Sequence, residues 1–154
     1  MSSPPRAAAH AFVADPASPV LDDDDRHHLE RVLRLRAGEA VTVSDGAGRW
    51  RACMWAPGGR LEPTGPVVAD PPPMPPVTVA FALTKGDRPE WVVQKLTEVG
   101  VDVIVAFRGD RSVVRWDAER AAAQVSRWRR VAREAAMQSR RRWLPTVADV
   151  ADFA

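Results

Sequence analysis

The segment that decides the fold is PPPMPPVTVAFAL, residues 71–83. Five prolines in six residues exclude a helix or a central strand, because proline lacks the backbone N–H that both need. Residues 71–76 are therefore predicted to be an extended linker. The apolar, β-branched run that follows, residues 77–83, predicts a buried strand. The chain is expected to divide into a first domain, 1–70, and a second domain, 77–154.

The second part alternates strands and helices. Residues 88–100 predict a helix, residues 101–107 a second buried strand, residues 117–137 a long helix with one apolar stripe, and residues 146–148 the start of a third strand. The expected apolar positions of the first helix are Trp91, Val92, Leu96 and Val99. This order is typical of a parallel α/β sheet. Two or three strands are too few for a sheet covered on both faces, so we expect an incomplete α/β domain.

The first part is predicted to be mostly β. Residues 22–25 are acidic and favour a helix N-terminus, and the helix is expected to end near Gly38. Residues 40–43 and 50–55 predict a hairpin around a turn at 45–46. A small β-rich module of this kind is typical of RNA-binding barrels.

Composition excludes several classes of protein. Hydrophobic residues make up 45% and charged residues 27% of the 154, which favours a folded, soluble chain. Cys53 is the single cysteine, so a disulfide framework and a cysteine zinc cluster are excluded. We find no apolar run that predicts a membrane helix and no secretory signal. The expectation is a cytoplasmic protein with no metal and no membrane contact.

Arginine dominates the basic residues and is concentrated in two segments. There are twenty arginines and two lysines, and guanidinium groups suit phosphate better than ammonium groups do. Residues 26–36 are either a solvated helix face offset by the acidic residues before them or an edge that follows RNA phosphates. Residues 127–142 hold seven arginines and one acid, net +6, which favours nucleic-acid contact over a solvated face. Lys85 and residues 110–113 follow strands and form either plain turns or the rim of a ligand crevice.

Four collinear blocks carry a family resemblance. The blocks are HHLERVLRLR at 27–36, LTKGDR at 83–88 with WVVQKLTEVGV at 91–101, DRSVV at 110–114, and EAAMQSRR at 134–141. Together they resemble the small-subunit ribosomal RNA (uracil-N3)-methyltransferases. The resemblance implies a two-domain α+β fold. Its N-terminal domain is a PUA-like RNA-binding β-barrel, and the rest is the first part of a SPOUT-type α/β (trefoil-knot) methyltransferase domain, incomplete at its C-terminus.

The resemblance also implies an activity and a set of site residues. The activity is S-adenosylmethionine-dependent methylation of N3 of one uridine in small-subunit (16S) ribosomal RNA by a homodimer; the alternative is a truncated RNA-binding remnant without activity. The family's cofactor loops are missing from this sequence, so no residue here is expected to bind the cofactor. The expected catalytic residues are Arg111, Ser112, Gln138 and Arg141. The expected RNA-binding residues are His28, Arg31, Arg34, Arg36, Lys85, Arg127 and Arg130.

Overall fold

A computed structural model describes residues 7–110 and 113–152 of the chain. These residues form two compact units. The first is Met1–Pro72 as far as it is described, together with Arg140–Trp143, and the second is Pro73–Ser139 together with Leu144–Ala154 as far as it is described. Among the described residues, no helix is long and apolar enough to cross a membrane.

The first unit is built on a five-stranded sheet. Its strands are β1 (Ala9–Phe12), β2 (Ala40–Ser44), β3 (Arg49–Ala56), β4 (Arg60–Pro63) and β5 (Val68–Ala69). Strand β1 is parallel to β2, and β2 and β3 form the predicted antiparallel hairpin. Both β4 and β5 pair with β3. The strand order β1-β2-β3-β4 is open, and no pairing within the described residues closes the sheet into a barrel.

A short helix precedes the hairpin. Helix α1 (Asp23–His27) begins where the backbone N–H of Asp25 donates to Oδ1 of Asp22 (2.7 Å), and it continues as one π-helical turn, His28–Val32. The prediction that this helix ends near Gly38 is wrong. Only Leu29 in this turn is buried, so no apolar stripe holds a longer helix, and Arg34 leaves the helical conformation with φ 53°.

The second unit alternates strands and helices as predicted. Its elements are β6 (Thr78–Ala82), α2 (Arg88–Val99), β7 (Val103–Arg108), α3 (Ala118–Gln138), β8 (Thr146–Val147) and β9 (Ala151–Asp152). All strand pairs are parallel, with β7 in the centre, β6 on one side and β8 and β9 on the other. The carboxyl ends of β6 and β7 therefore lie at the same edge of the sheet.

The two helices differ in how well the apolar pattern predicted their buried faces. Helix α3 buries Val125, Trp128, Ala132 and Ala135, as expected from steps of three and four. Helix α2 instead buries Pro89, Val93 and Thr97, whereas Trp91 is 62% and Val99 76% exposed. The prediction is wrong for Trp91 and Val99, because the helix packs through the i, i+4, i+8 row that starts at Pro89, whereas Leu96 packs against the core as predicted. Thr97 is kept on that row because its hydroxyl donates to the carbonyl of Val93 (2.8 Å).

The parallel sheet is covered on one face. Ile104 and Ala106 are buried, and Val79 and Phe81 pack beside them in one core with residues of α2 and α3. The alternate positions of β6, from Thr78 to Ala82, are exposed. The prediction of fully buried strands is wrong for β6, because both helices contribute to the core on the same side of the sheet.

Candidate RNA-binding cleft

A cleft of about 350 Å³ lies at the carboxyl edge of β6 and β7. It is formed by the loop between β6 and α2, the first turn of α2, the segment after β7, and the first half of α3. Crevices at the carboxyl ends of parallel strands are the usual ligand sites of α/β sheets. Its lining residues are Thr84, Lys85, Gly86, Asp87, Pro89, Glu90, Val113, Val114, Arg115, Trp116, Arg120, Gln124, Arg127 and Trp128.

The cleft has an excess of positive charge. Four cations and two carboxylates line it. Arg127 is neutralised by Glu90, which accepts from Nε at 2.5 Å and from Nη2 at 3.1 Å. Lys85 and Arg115 are exposed and form no ion pair with the residues that the structure describes. These two side chains are therefore available to an anion.

One wall of the cleft is aromatic. The rings of Trp116 and Trp128 are tilted by 48° with their centroids 6.0 Å apart, and Trp128 is buried beneath. The guanidinium carbon of Arg120 lies 5.9 Å from the Trp116 ring centroid, within cation–π range. The backbone of Trp116 is held because Arg108 donates to its carbonyl (3.1 Å) while forming an ion pair with Asp152.

The structure brings Lys85 and Arg127 together in this cleft. Of the predicted catalytic residues, Arg111 and Ser112 lie outside the described residues, Gln138 is exposed at the end of α3, and Arg141 is half-buried in the first unit. Arg130 is exposed on α3 and forms no ion pair within the described chain.

The turn after α1 carries the other predicted RNA-binding residues. His28, Arg31, Arg34 and Arg36 are all exposed. In the part of the chain that the structure describes, none of these side chains forms an ion pair. The backbone N–H of Arg36 donates to a carboxylate oxygen of Glu39 (2.7 Å), which fixes the turn and leaves the guanidinium outside. With three arginines against one carboxylate, Glu30, residues 28–36 carry net positive charge on exposed side chains that form no ion pair with the described residues, which suits contact with phosphates.

Residues 140–143 pack within the first unit. Arg142 forms an ion pair with Asp70, and its guanidinium carbon lies 3.6 Å from the centroid of the Trp50 ring. The carbonyl of Arg142 accepts from the Ser44 hydroxyl (2.8 Å). A side chain on Gly48 would collide with the Trp143 ring, and φ here is +92°, so this position requires glycine.

His10 is the buried titratable group of this environment. Its Nδ1 lies 2.8 Å from the Thr42 hydroxyl. The pKa of His10 is lowered to about 4, chiefly by burial and also by the positive charges of Arg142 and Arg140, while a hydrogen bond to the backbone of Arg141 acts in the opposite direction. His10 is therefore neutral at pH 7.

Three cleft residues were missed from the sequence, namely Arg115, Trp116 and Arg120. The signal was available: a basic–aromatic pair stands directly before Asp117, which caps α3 by accepting from the N–H of Arg120 (2.7 Å). Basic side chains that bind phosphate and aromatic side chains that stack on unpaired bases are the usual elements of a single-stranded nucleic-acid site.

Comparison with known proteins identifies relatives over nearly the whole chain. Residues 71–154 match an RNA methyltransferase domain family, and residues 21–54 match an RNA methyltransferase PUA domain. Two curated relatives carry the name ribosomal RNA small subunit methyltransferase E. The protein from Mycobacterium bovis is 40% identical over 134 residues, 85% of this chain and 51% of the relative. The protein from Bacillus subtilis is 32% identical over 145 residues, 84% of this chain and 52% of the relative.

A solved structure shows the same fold. The crystal structure of a ribosomal RNA small subunit methyltransferase E from Neisseria gonorrhoeae, bound to S-adenosyl methionine, is similar with a TM-score of 0.72 and 25% identity. The similarity covers 94% of this chain and 62% of that one. The chain thus spans about half the length of the curated relatives it matches.

Proposed function

Because this chain belongs to the RNA methyltransferase family, we propose that it binds and positions RNA for an S-adenosylmethionine-dependent methyltransferase of small-subunit ribosomal RNA. The observation that carries the proposal is the position of the cleft. It lies inside the matched residues 71–154, at the sheet edge where α/β enzymes bind ligands, and Lys85 and Arg115 give it unneutralised positive charge.

The first unit supports the same function, because it offers side chains that can contact the phosphate backbone of the RNA. The PUA-domain match includes the exposed turn at 28–36. We assign Arg31, Arg34, Arg36 and His28 to the ribosomal RNA backbone, which they would hold without reading its sequence. A PUA-like barrel, with a SPOUT-type domain after it, is the architecture that we propose for the complete enzyme, acting as a homodimer.

The proposed target atom is N3 of a uridine in 16S ribosomal RNA. N3 carries a proton and lies in the pairing edge, so the base must be unpaired and the proton removed before the nitrogen is nucleophilic. A cation or hydrogen-bond donor near O2 or O4 would stabilise the resulting anion. Arg111, Ser112, Gln138 and Arg141 remain proposed for orienting the uracil and its phosphate.

S-adenosylmethionine, which supplies the methyl group when bound, does not fit the cleft. The cofactor carries a sulfonium and an ammonium against one carboxylate, whereas the cleft already has more cations than acids. Like charges in one cleft repel. We therefore assign the cofactor to residues other than those that line this cleft. Calorimetric titration of the chain with S-adenosylmethionine tests this assignment. A change in cofactor affinity in Lys85→Ala or Arg115→Ala, in either direction, would contradict it.

The RNA-binding part of the proposal is tested by salt-dependent binding to a 16S ribosomal RNA fragment. The double variant Lys85→Ala/Arg115→Ala should lower the affinity at 0.1 M salt by about 100-fold and reduce the slope of log K against log salt by about 2. Arg60→Ala/Lys95→Ala removes the same charge from side chains that pair with Glu62 and Glu98, and should change both quantities little. Equal effects of the two variants would remove the cleft from the proposed site.

The target atom is tested in cells. A methyl group on N3 blocks Watson–Crick pairing, so it stops reverse transcription. Deletion of the gene should abolish one such stop in 16S ribosomal RNA, and the complete gene should restore it. An unchanged pattern of stops would refute the proposed target. If the stop is lost and this chain alone restores it, the alternative of an inactive RNA-binding remnant is excluded.

A further inference from the structure

We propose that the cleft takes a single unpaired nucleotide, with its base stacked on Trp116 under the guanidinium of Arg120 and its phosphate held by Lys85 and Arg115. This rests on the proposed RNA-binding function and goes beyond it, because it names the ligand unit and the residues that recognise a base as well as a phosphate.

The dimensions of the cleft set the ligand unit. Its volume of about 350 Å³ is near the lower end of the range of about 300–1,000 Å³ found for small-molecule sites. That space accommodates one nucleotide and excludes a duplex. Splayed bases that stack on aromatic rings or guanidinium planes are the usual way in which proteins recognise unpaired RNA.

Trp116 offers a stacking surface that is fixed before RNA binds. Trp128 supports one side of its ring at a centroid distance of 6.0 Å, and the Arg108 guanidinium holds its carbonyl. Trp116 is half-buried, so part of the ring remains accessible to a ligand. A base that stacks on such a ring gains about 5- to 150-fold in affinity.

Arg120 forms the opposite side of the slot. Its guanidinium carbon lies 5.9 Å from the Trp116 centroid. A flat base between two parallel groups needs about 7 Å between them, twice the contact distance of stacked atoms. Because Arg120 is exposed near the start of α3, its side chain can move by the additional ångström without disturbing the core.

The positively charged side chains of the cleft bind the phosphate of the nucleotide. Lys85 follows β6 and Arg115 follows β7, so two cations from neighbouring connections line one cleft with the aromatic wall. Arg127, by contrast, is already paired with Glu90. A phosphodiester therefore meets Lys85 and Arg115, while Arg127 shapes the cleft without supplying free charge.

The experiment compares binding of single-stranded pentauridine and of an RNA duplex by fluorescence anisotropy. The wild-type chain should bind pentauridine more tightly than a duplex of the same length. Trp116→Leu should weaken pentauridine binding by about 10- to 100-fold, and Trp116→Phe, which keeps a stacking ring, should retain it within about threefold. Trp91→Leu is the matched control, because Trp91 is exposed and outside the cleft.

A second variant, Arg120→Gln, tests the slot even if Trp116→Leu does not fold. Arg120 is exposed, so its replacement leaves the core intact. It should weaken pentauridine binding by about three- to tenfold, with an unchanged melting temperature. If the wild-type chain binds 16S ribosomal RNA but Arg120→Gln and a folded Trp116→Leu both retain pentauridine affinity, the single-nucleotide slot is refuted and the proposed function stands. If the wild-type chain binds neither RNA, both proposals fail.

Discussion

The two arginine-rich segments differ in what their charges contact. Residues 127–142 have the higher density of positive charge in the sequence, net +6. In the fold, at least three of the seven arginines form ion pairs with carboxylates that are distant in the sequence. These pairs are Arg127–Glu90, Arg129–Asp149 and Arg142–Asp70. Part of the positive charge of this segment is therefore already neutralised by carboxylates elsewhere in the fold.

The turn at 28–36 shows the opposite relation. In the sequence its arginines are offset by the acidic residues 22–25. In the fold, Asp23 pairs with Arg26, Asp22 caps the helix and Asp25 is buried. The remaining arginines of the segment, Arg31, Arg34 and Arg36, have no carboxylate partner among the described residues. Charge density along the chain therefore does not identify an RNA contact. The positions of the neutralising carboxylates in three dimensions decide which guanidinium groups are available to phosphate.

The largest expected effect is on RNA affinity through the turn at 28–36. Replacing Arg31, Arg34 and Arg36 by alanine should lower affinity for 16S ribosomal RNA at 0.1 M salt by a few hundredfold and reduce the salt slope by about 2 to 3, because each phosphate contact releases about one counterion. Filter binding over a salt series measures both. The matched variant removes three paired arginines, Arg49, Arg60 and Arg129. Equal losses of RNA affinity in the two triple variants would contradict the proposal that the unpaired arginines of residues 28–36 bind phosphate.

The next largest effect concerns His10, which is buried in the first unit and is influenced by the charge of Arg142. The pKa of His10 is about 4 in the fold and about 6.5 when unfolded, so below pH 6.5 the unfolded chain binds more protons. His10 therefore contributes a loss of stability as pH falls from about 6.5 to about 4, of up to about 3 kcal/mol, and none above pH 7.

Denaturant unfolding at pH 4 to 7 measures this loss. His10→Gln keeps a hydrogen-bonding group beside Thr42 and should remove that part of the pH dependence. Arg142→Gln should reduce it, because a positive neighbour is lost and the pKa of His10 rises. Identical pH profiles for wild type and His10→Gln would contradict the buried, neutral state of His10, and identical profiles for wild type and Arg142→Gln would contradict the contribution of the Arg142 charge.

Arg142 should contribute more to stability than any exposed arginine of α3. Arg142→Ala removes the ion pair with Asp70 and the stacking on Trp50, and should lower the free energy of unfolding by about 2 kcal/mol. Arg130→Ala, on an exposed side chain, should stay within about 0.5 kcal/mol. Urea unfolding measures both. A loss in Arg130→Ala as large as that in Arg142→Ala would contradict a structural role specific to Arg142.

Local patterns predicted much of the fold. The hairpin of β2 and β3 followed from alternation around a turn, and the buried face of α3 from spacings of three and four. The face of α2 was misassigned because Trp91 and Val99 are apolar, and apolar character was taken to mean burial. Packing selects the row of Pro89, Val93 and Thr97 instead, and no periodicity in one helix shows which of two apolar rows a neighbouring helix covers.

The site was predictable only where it depends on strand ends. Lys85 follows β6, so its place at the sheet edge follows from the parallel topology. The position of Arg142 could not be predicted, because it depends on a contact with Asp70, 72 residues earlier, and nothing in the local sequence separates it from the arginines on α3. The basic–aromatic pair Arg115–Trp116 was visible in the sequence, but the place of Trp116 in the cleft depends on its contact with Trp128, which is on another element.

The smallest expected effect concerns the N-terminal cap of helix α1. Asp22→Ala removes the carboxylate that accepts from the N–H of Asp25, and should cost about 1 kcal/mol of stability while weakening RNA binding less than threefold, because the cap orients the turn and contacts no phosphate. Asp22→Asn removes the same charge and keeps the cap, so it should retain most of the stability. Thermal melts and filter binding measure the two quantities. If Asn and Ala destabilise equally, the acidic residue acts through its charge, and the offsetting of residues 26–36 that the sequence suggested operates in the fold as well.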